Sequence, residues 1–306
     1  MDRESIYYKQ VQLLLQLLPL IAKHDCFALK GGTAINLFIR DFPRLSVDID
    51  LVYLPVLERD ASLRGIKSAL DNIAHSILVT LPGSKVRKSY EDKDDALRLT
   101  VIRDGVMIKI ELSPVLRGTV YEPALLPVCE TVENEFGFAE VSVVSFADLY
   151  AGKICAALDR QHPRDLFDIK FLLDNEGLTP LLRKALMVYI ISHSRPIAEL
   201  LRPHLKDIAG IYEGEFRSMA DKDVPLDELL AVRKQLIKQI HAEMTTDERT
   251  FLLSFKNRDP DWNLLGLDNI DKLPAVRWKQ QNLSNMPANK HAEALNQLRT
   301  VLEKIM

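Results

Sequence analysis

Cysteine is scarce in this chain of 306 residues: Cys26, Cys129 and Cys155 are all there are. No two of them have zinc-ribbon or redox spacing, and the odd count argues against a disulfide framework. They read as core thiols in a reducing cytoplasm. Long apolar runs are also missing. The stretch Val11–Ala22 is broken by Gln12, Gln16 and Pro19 and is too short to span a bilayer. Asp2 and Glu4 spoil a secretory leader, so the expectation is a cytoplasmic protein with no membrane partner. Neither sign of charge is in large excess: 40 Lys and Arg stand against 43 Asp and Glu, a net charge of −3. That excludes a strongly basic nucleic-acid-coating protein but not an RNA substrate held by a basic strip. The seven histidines show no HExxH or other close metal-ligand spacing, and there is no GxxxxGK[ST] loop, internal repeat or low-complexity segment. What remains, 47% hydrophobic and 27% charged, is globular in composition, and the length allows one large or two ordinary domains.

The stretch from Lys30 to Asp50 stands out. Phe27-Ala28-Leu29 is apolar, Lys30-Gly31-Gly32-Thr33-Ala34 follows, and Ala34, Leu37 and Phe38 have helical spacing. That predicts strand, tight turn and helix, in which glycines let backbone N–H groups approach an anion at a helix start. In Ser46-Val47-Asp48-Ile49-Asp50-Leu51, Val47, Ile49 and Leu51 take one face of a strand, and Ser46, Asp48 and Asp50 the other. Two carboxylates on one face repel unless hydrated or bridged by cations, and two divalent metals would suit them.

Helices are predicted over 5–23, with Ile6, Val11, Leu14, Leu15, Leu18 and Ile21 buried, and over 60–81, with Leu63, Ile66, Leu70, Ile73, Ile77 and Leu78 buried. Residues 83–95 read as a charged loop. Arg98–Ile102 and Val106–Leu112 flank Asp104-Gly105, a hairpin signal. Glu111 and Lys109 share the polar face of the second strand. If that strand lies beside Asp48–Asp50, three acids converge. Residues 113–145 read as irregular up to a short strand near Val141–Val144. Phe146–Arg160 is a helix whose second face, with Leu149, Gly152, Lys153, Ala156 and Arg160, points to a close neighbour. Arg164-Asp165-Leu166-Phe167-Asp168 opens the next helix. Beyond about 180 helical patterns dominate, interrupted by an aromatic, loop-like stretch over 251–278 and ending in a helix over 292–306. A boundary falls near 175–182, giving domains 1–178 and 179–306.

Each feature has a plain reading. A glycine pair is usually a turn, Asp48 and Asp50 could be a solvated edge, Glu111 could pair with Lys109, Lys153 could be a solvated lysine, and Asp165 could be a helix-start charge. Trp262 and Trp278 read as packing anchors. Together, glycines at a helix start, two acids on the next strand, a third acid on a later strand and a lysine beyond it match the needs of phosphoryl transfer.

The ordered set Lys30-Gly31-Gly32-Thr33-Ala34, Ser46-Val47-Asp48-Ile49-Asp50, Lys109-Ile110-Glu111, Asp148–Lys153 and Arg164–Asp168 resembles the AbiEii/AbiGii nucleotidyltransferase toxins, as do Leu273-Pro274-Ala275-Val276 and Trp278-Lys279. The resemblance implies an α+β fold: a polymerase-β-like core, with a mixed sheet flanked by helices, followed by a mostly helical C-terminal domain. It implies a toxin of a bacterial toxin–antitoxin or phage-defence pair with a separately encoded antitoxin, moving NMP from an NTP to an acceptor, an RNA (tRNA) 3′ end. It further implies that Lys30, Gly31, Gly32, Thr33, Ser46 and Lys153 hold the nucleotide and that Asp48, Asp50 and Glu111 ligate Mg²⁺, as two ions. Glu111 is alternatively the general base. Lys153 contacts phosphates and Asp165 completes the catalytic set, with Asp168 as its alternative. Lys85, Arg87, Lys88 and the 277–279 region are candidate RNA contacts. The wider fold often has Gly-Ser in the glycine turn, where Gly31-Gly32-Thr33 stands here.

Rival readings are a small-molecule or protein acceptor, a haloacid-dehalogenase-like phosphatase using Asp48 of Asp48-Ile49-Asp50-Leu51-Val52 as nucleophile, and a catalytically silent nucleotide-binding core. Pro43-Arg44 leaves almost no apolar strand ahead of Asp48, which counts against the phosphatase.

Overall fold

The computed structural model describes residues 3, 5–217, 219 and 224–303. It divides into two units, Met1–Ser145 and Phe146–Met306. The first opens with α1 (Ile6–Ile21), whose N-cap Ser5 accepts a hydrogen bond from the Tyr8 N–H. This satisfies one of the donors that a helix start leaves unpaired. Val11, Leu14, Leu15, Leu18 and Ile21 are buried as their spacing predicts, whereas Ile6, in the first turn, is 54% exposed.

The chain then forms β1 (Phe27–Lys30), α2 (Gly31–Ala34) widening into a π turn over Ile35–Ile39, β2 (Ile49–Tyr53) and α3 (Arg59–Thr80). Leu78, predicted on the buried stripe of α3, is exposed. After it come β3 (Lys85–Lys88), β4 (Arg98–Arg103), β5 (Val106–Arg117), β6 (Ala124–Pro127), α4 (Glu130–Phe136) and β7 (Glu140–Val143).

The seven strands make one mixed sheet in the order β3-β4-β5-β2-β1-β7-β6. The β2/β5 and β1/β7 pairs are parallel and the rest antiparallel. Asp104 (φ 49°) and Gly105 (φ 79°) both take positive φ, which matches the twist of the β4/β5 hairpin they close.

Two predicted loops hold ordered elements. Lys85–Lys88 is an edge strand whose mostly charged residues hide its period. Within 113–145, β5 continues past Pro114 to Arg117, and β6 ends in Pro127, which an edge strand tolerates because the missing N–H leaves no ladder bond broken.

The second unit is helical: α5 (Phe146–Asp159), α6 (Pro163–Asn175), α7 (Pro180–Ser192), α8 (Ile197–Leu201), α9 (Ala209–Ile211), α10 (Leu226–Glu243), α11 (Thr246–Lys256), α12 (Pro274–Ser284) and α13 (Ala288–Glu303). The break between units falls before α5 rather than near 175–182, because α5 and α6 pack with the later helices. Gly152 shows why: a Cβ there would stand 3.3 Å from the Tyr189 ring of α7, so a larger residue would push the two helices apart. Within the predicted aromatic loop, Phe251–Lys256 belongs to α11, and Trp262 packs on Phe251 and Phe255 with ring centroids 5.7 and 6.1 Å away. The final helix starts at Ala288, and positions 304–306 of its predicted span lie outside the described residues.

Candidate active site

The glycine turn and the acidic stretch meet in the first unit. Gly31 has φ +79°, a conformation that L side chains rarely adopt, and the space a Cβ would need is filled by Asp50 Oδ2. A Cβ on Gly32 would stand 2.8 Å from both Ser46 Oγ and an Arg44 guanidinium nitrogen. Thr33 ties the two segments together: its hydroxyl donates to the Asp48 carbonyl at 2.5 Å and lies 3.1 Å from Ser46 Oγ. The Asn36 amide donates to the Gly32 carbonyl at 2.8 Å. Lys30 is the antiparallel register partner of Asp50. Lys30, Gly31, Gly32, Thr33, Ser46, Asp48 and Asp50 therefore gather at one end of β1 and β2. Asp48 itself lies just ahead of β2 and is exposed; Asp50 is half-buried within the strand.

Glu111 joins them through the sheet. β5 pairs with β2 in parallel, with Asp50 opposite Glu111. Neighbouring strands run about 4.8 Å apart and register partners share a face, so the two carboxyl-bearing side chains stand side by side. The partner that Glu111 takes is not Lys109 but Arg98, opposite it on β4, whose Nε lies 2.6 Å from the Glu111 carboxylate. Among the described residues no group of three or more His, Cys, Asp or Glu side chains stands close enough to hold a metal. Mg²⁺ commonly takes one or two carboxylates and completes its shell with water and substrate phosphates. Asp48 and Asp50 fit that pattern, while Glu111 is engaged by Arg98.

A second cluster lies in the helical unit. Lys153 of α5 is buried with its ammonium 2.9 Å from Asp165 Oδ1 and 2.9 Å from Asp168 Oδ2, both carboxylates on α6 and both buried. Arg160 also binds Asp165, Nε to Oδ2 at 2.5 Å and a terminal nitrogen to Oδ1 at 2.8 Å. Burial alone would push the Asp165 carboxyl up. The Lys153 ammonium and the Arg160 guanidinium outweigh it and hold the group well below the usual carboxylate range. Both Asp165 oxygens are thus spoken for, and Asp168 shares the lysine rather than replacing Asp165. Asp148, five residues ahead of Lys153 on α5, accepts from the half-buried Tyr189 hydroxyl at 3.2 Å. Burial first, and the Asp148 charge second, push that phenol well up.

The family model described as nucleotidyl transferase AbiEii toxin, type IV toxin–antitoxin system, matches residues 12–282. The chain belongs to this AbiEii family. It is accordingly a nucleotidyltransferase toxin, and the family implies an NTP substrate and an antitoxin partner. Among solved structures it is similar to the nucleotidyltransferase toxin MenT4 of Mycobacterium tuberculosis H37Rv, with a TM-score of 0.58 and 14% identity over 97% of this chain and 92% of that one. At that identity the likeness shows the shared fold, α+β with a mixed sheet and flanking helices. No curated protein matches.

Membership in the family leaves the phosphatase reading without support, and the local geometry agrees: β2 begins only at Ile49, so no strand leads up to Asp48. Among the described residues no helix is long and apolar enough to cross a membrane. Two arginines were not read from the sequence as part of the site. Arg98 is signalled only by cross-strand register, and Arg44, 3% exposed beside Gly32, only by the fold of the turn. Of the candidate RNA contacts, Lys88 is bound to Asp71 at 2.6 Å and Arg87 to Asp92 at 2.8 Å. Lys279 donates to the carbonyls of His193, Ser194 and Arg195.

Proposed function

We propose that this AbiEii-family toxin transfers a nucleoside monophosphate from an NTP to an RNA 3′ end, that of a tRNA, in a Mg²⁺-dependent reaction. The acceptor hydroxyl attacks the α-phosphorus, the bond to the β-phosphate oxygen breaks, pyrophosphate leaves, and the hydroxyl proton passes to a base. The observation that carries this reading is the register of Asp50 against Glu111 beside the Gly31–Gly32 turn.

In this reading the N–H groups of Gly31 and Gly32 and the hydroxyls of Thr33 and Ser46 hold phosphate oxygens, with Lys30 and the buried Arg44 supplying positive charge nearby. Asp48 and Asp50 would hold Mg²⁺, which when bound neutralises triphosphate charge and favours the ionised acceptor oxygen. Glu111 either accepts the acceptor proton or, once released by Arg98, adds a third carboxylate. Lys153 stabilises phosphate charge, and Asp165, 2.9 Å from its ammonium, orients it.

Purified protein incubated with Mg²⁺, tRNA or total RNA and each α-labelled NTP should label RNA. Chelation by EDTA should abolish the label and added Mg²⁺ restore it. Asp48→Asn should lower the rate by about 10²-fold or more while leaving the melting midpoint unchanged, since Asp48 is exposed. Absence of label in RNA with all four NTPs would overturn the acceptor assignment. Label in a small molecule or in protein would identify the acceptor class instead.

A further inference from the structure

Lys256, in the last turn of α11, is 6% exposed. Its ammonium nevertheless has no hydrogen-bond or ion-pair partner among the described residues; only its backbone carbonyl is engaged, by His291. The ammonium is not among the fully buried unpartnered atoms of the described residues, so it keeps contact with solvent, which its place on a cavity wall provides. Burial, then the nearby Arg258 charge, draw the ammonium below the usual lysine range. Such a group calls for an anion.

Lys256 lines a cavity of about 230 Å³ within the helical unit, together with Trp278, Lys279, Asn282, Gln297 and several apolar side chains including Met286. Among the described residues no carboxylate lines it. Lys279 adds charge but no free donors, because its ammonium already meets three carbonyls at 2.6, 3.2 and 3.1 Å. Trp278 keeps 43% of its surface exposed, unlike Trp262, which packs on two phenylalanines. An aromatic face beside a lone lysine donor, with two side-chain amides on the wall, matches a phosphate joined to a heteroaromatic ring. The volume admits one such unit and not a longer chain.

We propose that this cavity is a second, metal-independent nucleotide site: Lys256 donates to the phosphate of one nucleotide, its base lies on Trp278, and Asn282 and Gln297 meet the base edge. The nucleotide is either free or the end of an RNA strand. The proposal does not depend on the transfer reaction or on the carboxylates of the first unit.

The test uses the full chain in EDTA, with tryptophan emission titrated by 5′-AMP, by inorganic phosphate and by a short oligoribonucleotide. Saturable quenching is expected with AMP, with the oligonucleotide, or with both, and the arm that quenches identifies the source. Inorganic phosphate should compete. Lys256→Met should weaken binding at least about tenfold, the expected effect of losing a charge-assisted hydrogen bond. Without ligand it should leave the melting midpoint close to that of wild type, because the ammonium makes no hydrogen bond or ion pair among the described residues. Asp48→Asn should bind as wild type does, which separates this site from the proposed active site. Equal affinity in Lys256→Met, or no quenching by either nucleotide probe, would overturn the proposal even if NTP transfer to RNA is observed.

Discussion

At the scale of single residues, the Lys153 cluster makes the sharpest claim. One ammonium lies between two buried carboxylates, so its removal takes a partner from both Asp165 and Asp168, while Arg160, which also binds Asp165, has a side chain that is 61% exposed. Breaking a buried pair in this way costs about 3–5 kcal/mol, and Lys153→Met should lower the melting midpoint accordingly at neutral pH. The sign with pH follows from the direction of the Asp165 shift. Its folded value is depressed, so its stabilising contribution is present above the unfolded carboxylate value, about 3.9, and is lost as pH falls through the lower folded value. In Lys153→Met the largest of the causes that lower the Asp165 value is lost, so the penalty should shrink as the pH falls toward 4. Calorimetry of wild type and variant between pH 4 and 8 checks this; a penalty independent of pH would mean that packing of the lysine stem, not its charge, holds α5 to α6.

At the scale of elements, the strand–turn–helix from Phe27 to Ile39 and the parallel β2/β5 pair set the geometry of the first site. Gly31→Ala meets two obstacles, a positive φ and the Asp50 carboxylate in the place of the new methyl. The backbone strain costs of order 1 kcal/mol, so the variant should fold with a slightly reduced midpoint. Displacing Asp50 should lower transfer far more, by about 10²-fold, since small misplacements at a reacting centre are amplified. Transfer at the wild-type rate would show that Asp50 need not stand where it does. The pattern of these elements was legible in sequence: the alternation around Asp50 and Glu111, and the Asp104-Gly105 turn, rest on strand period and backbone sterics alone. The edge strand Lys85–Lys88 was not, because its charged residues follow solvent exposure on both faces. Arg98 as the partner of Glu111 was not either, since cross-strand partners depend on register and not on nearness along the chain.

At the scale of the whole molecule, the three thiols report on the integrity of the two units. Cys26 and Cys129 are half-buried and belong to the first, while Cys155 is buried in the second, where burial and then the Asp159 charge push its thiol up to about 12. At pH 8 a thiol reagent should modify Cys155 only when the helical unit unfolds, after Cys26 and Cys129 have reacted. The unfolded thiol ionises first, near pH 8.5, so this group's contribution is intact below that value and is lost as pH rises toward 12. Rapid reaction of Cys155 in native protein would contradict its burial. Sequence alone determined the family and the α+β class, because strand and helix periods, glycine sterics and the order of motifs are local properties of the chain. The tertiary structure alone decided that Asp50 faces Glu111, that Arg98 and Arg160 complete their acids' surroundings, that the units divide before α5, and that Lys256 lines a cavity without a partner among the described residues. Each of these depends on which distant segments pack together, and local sequence does not encode that.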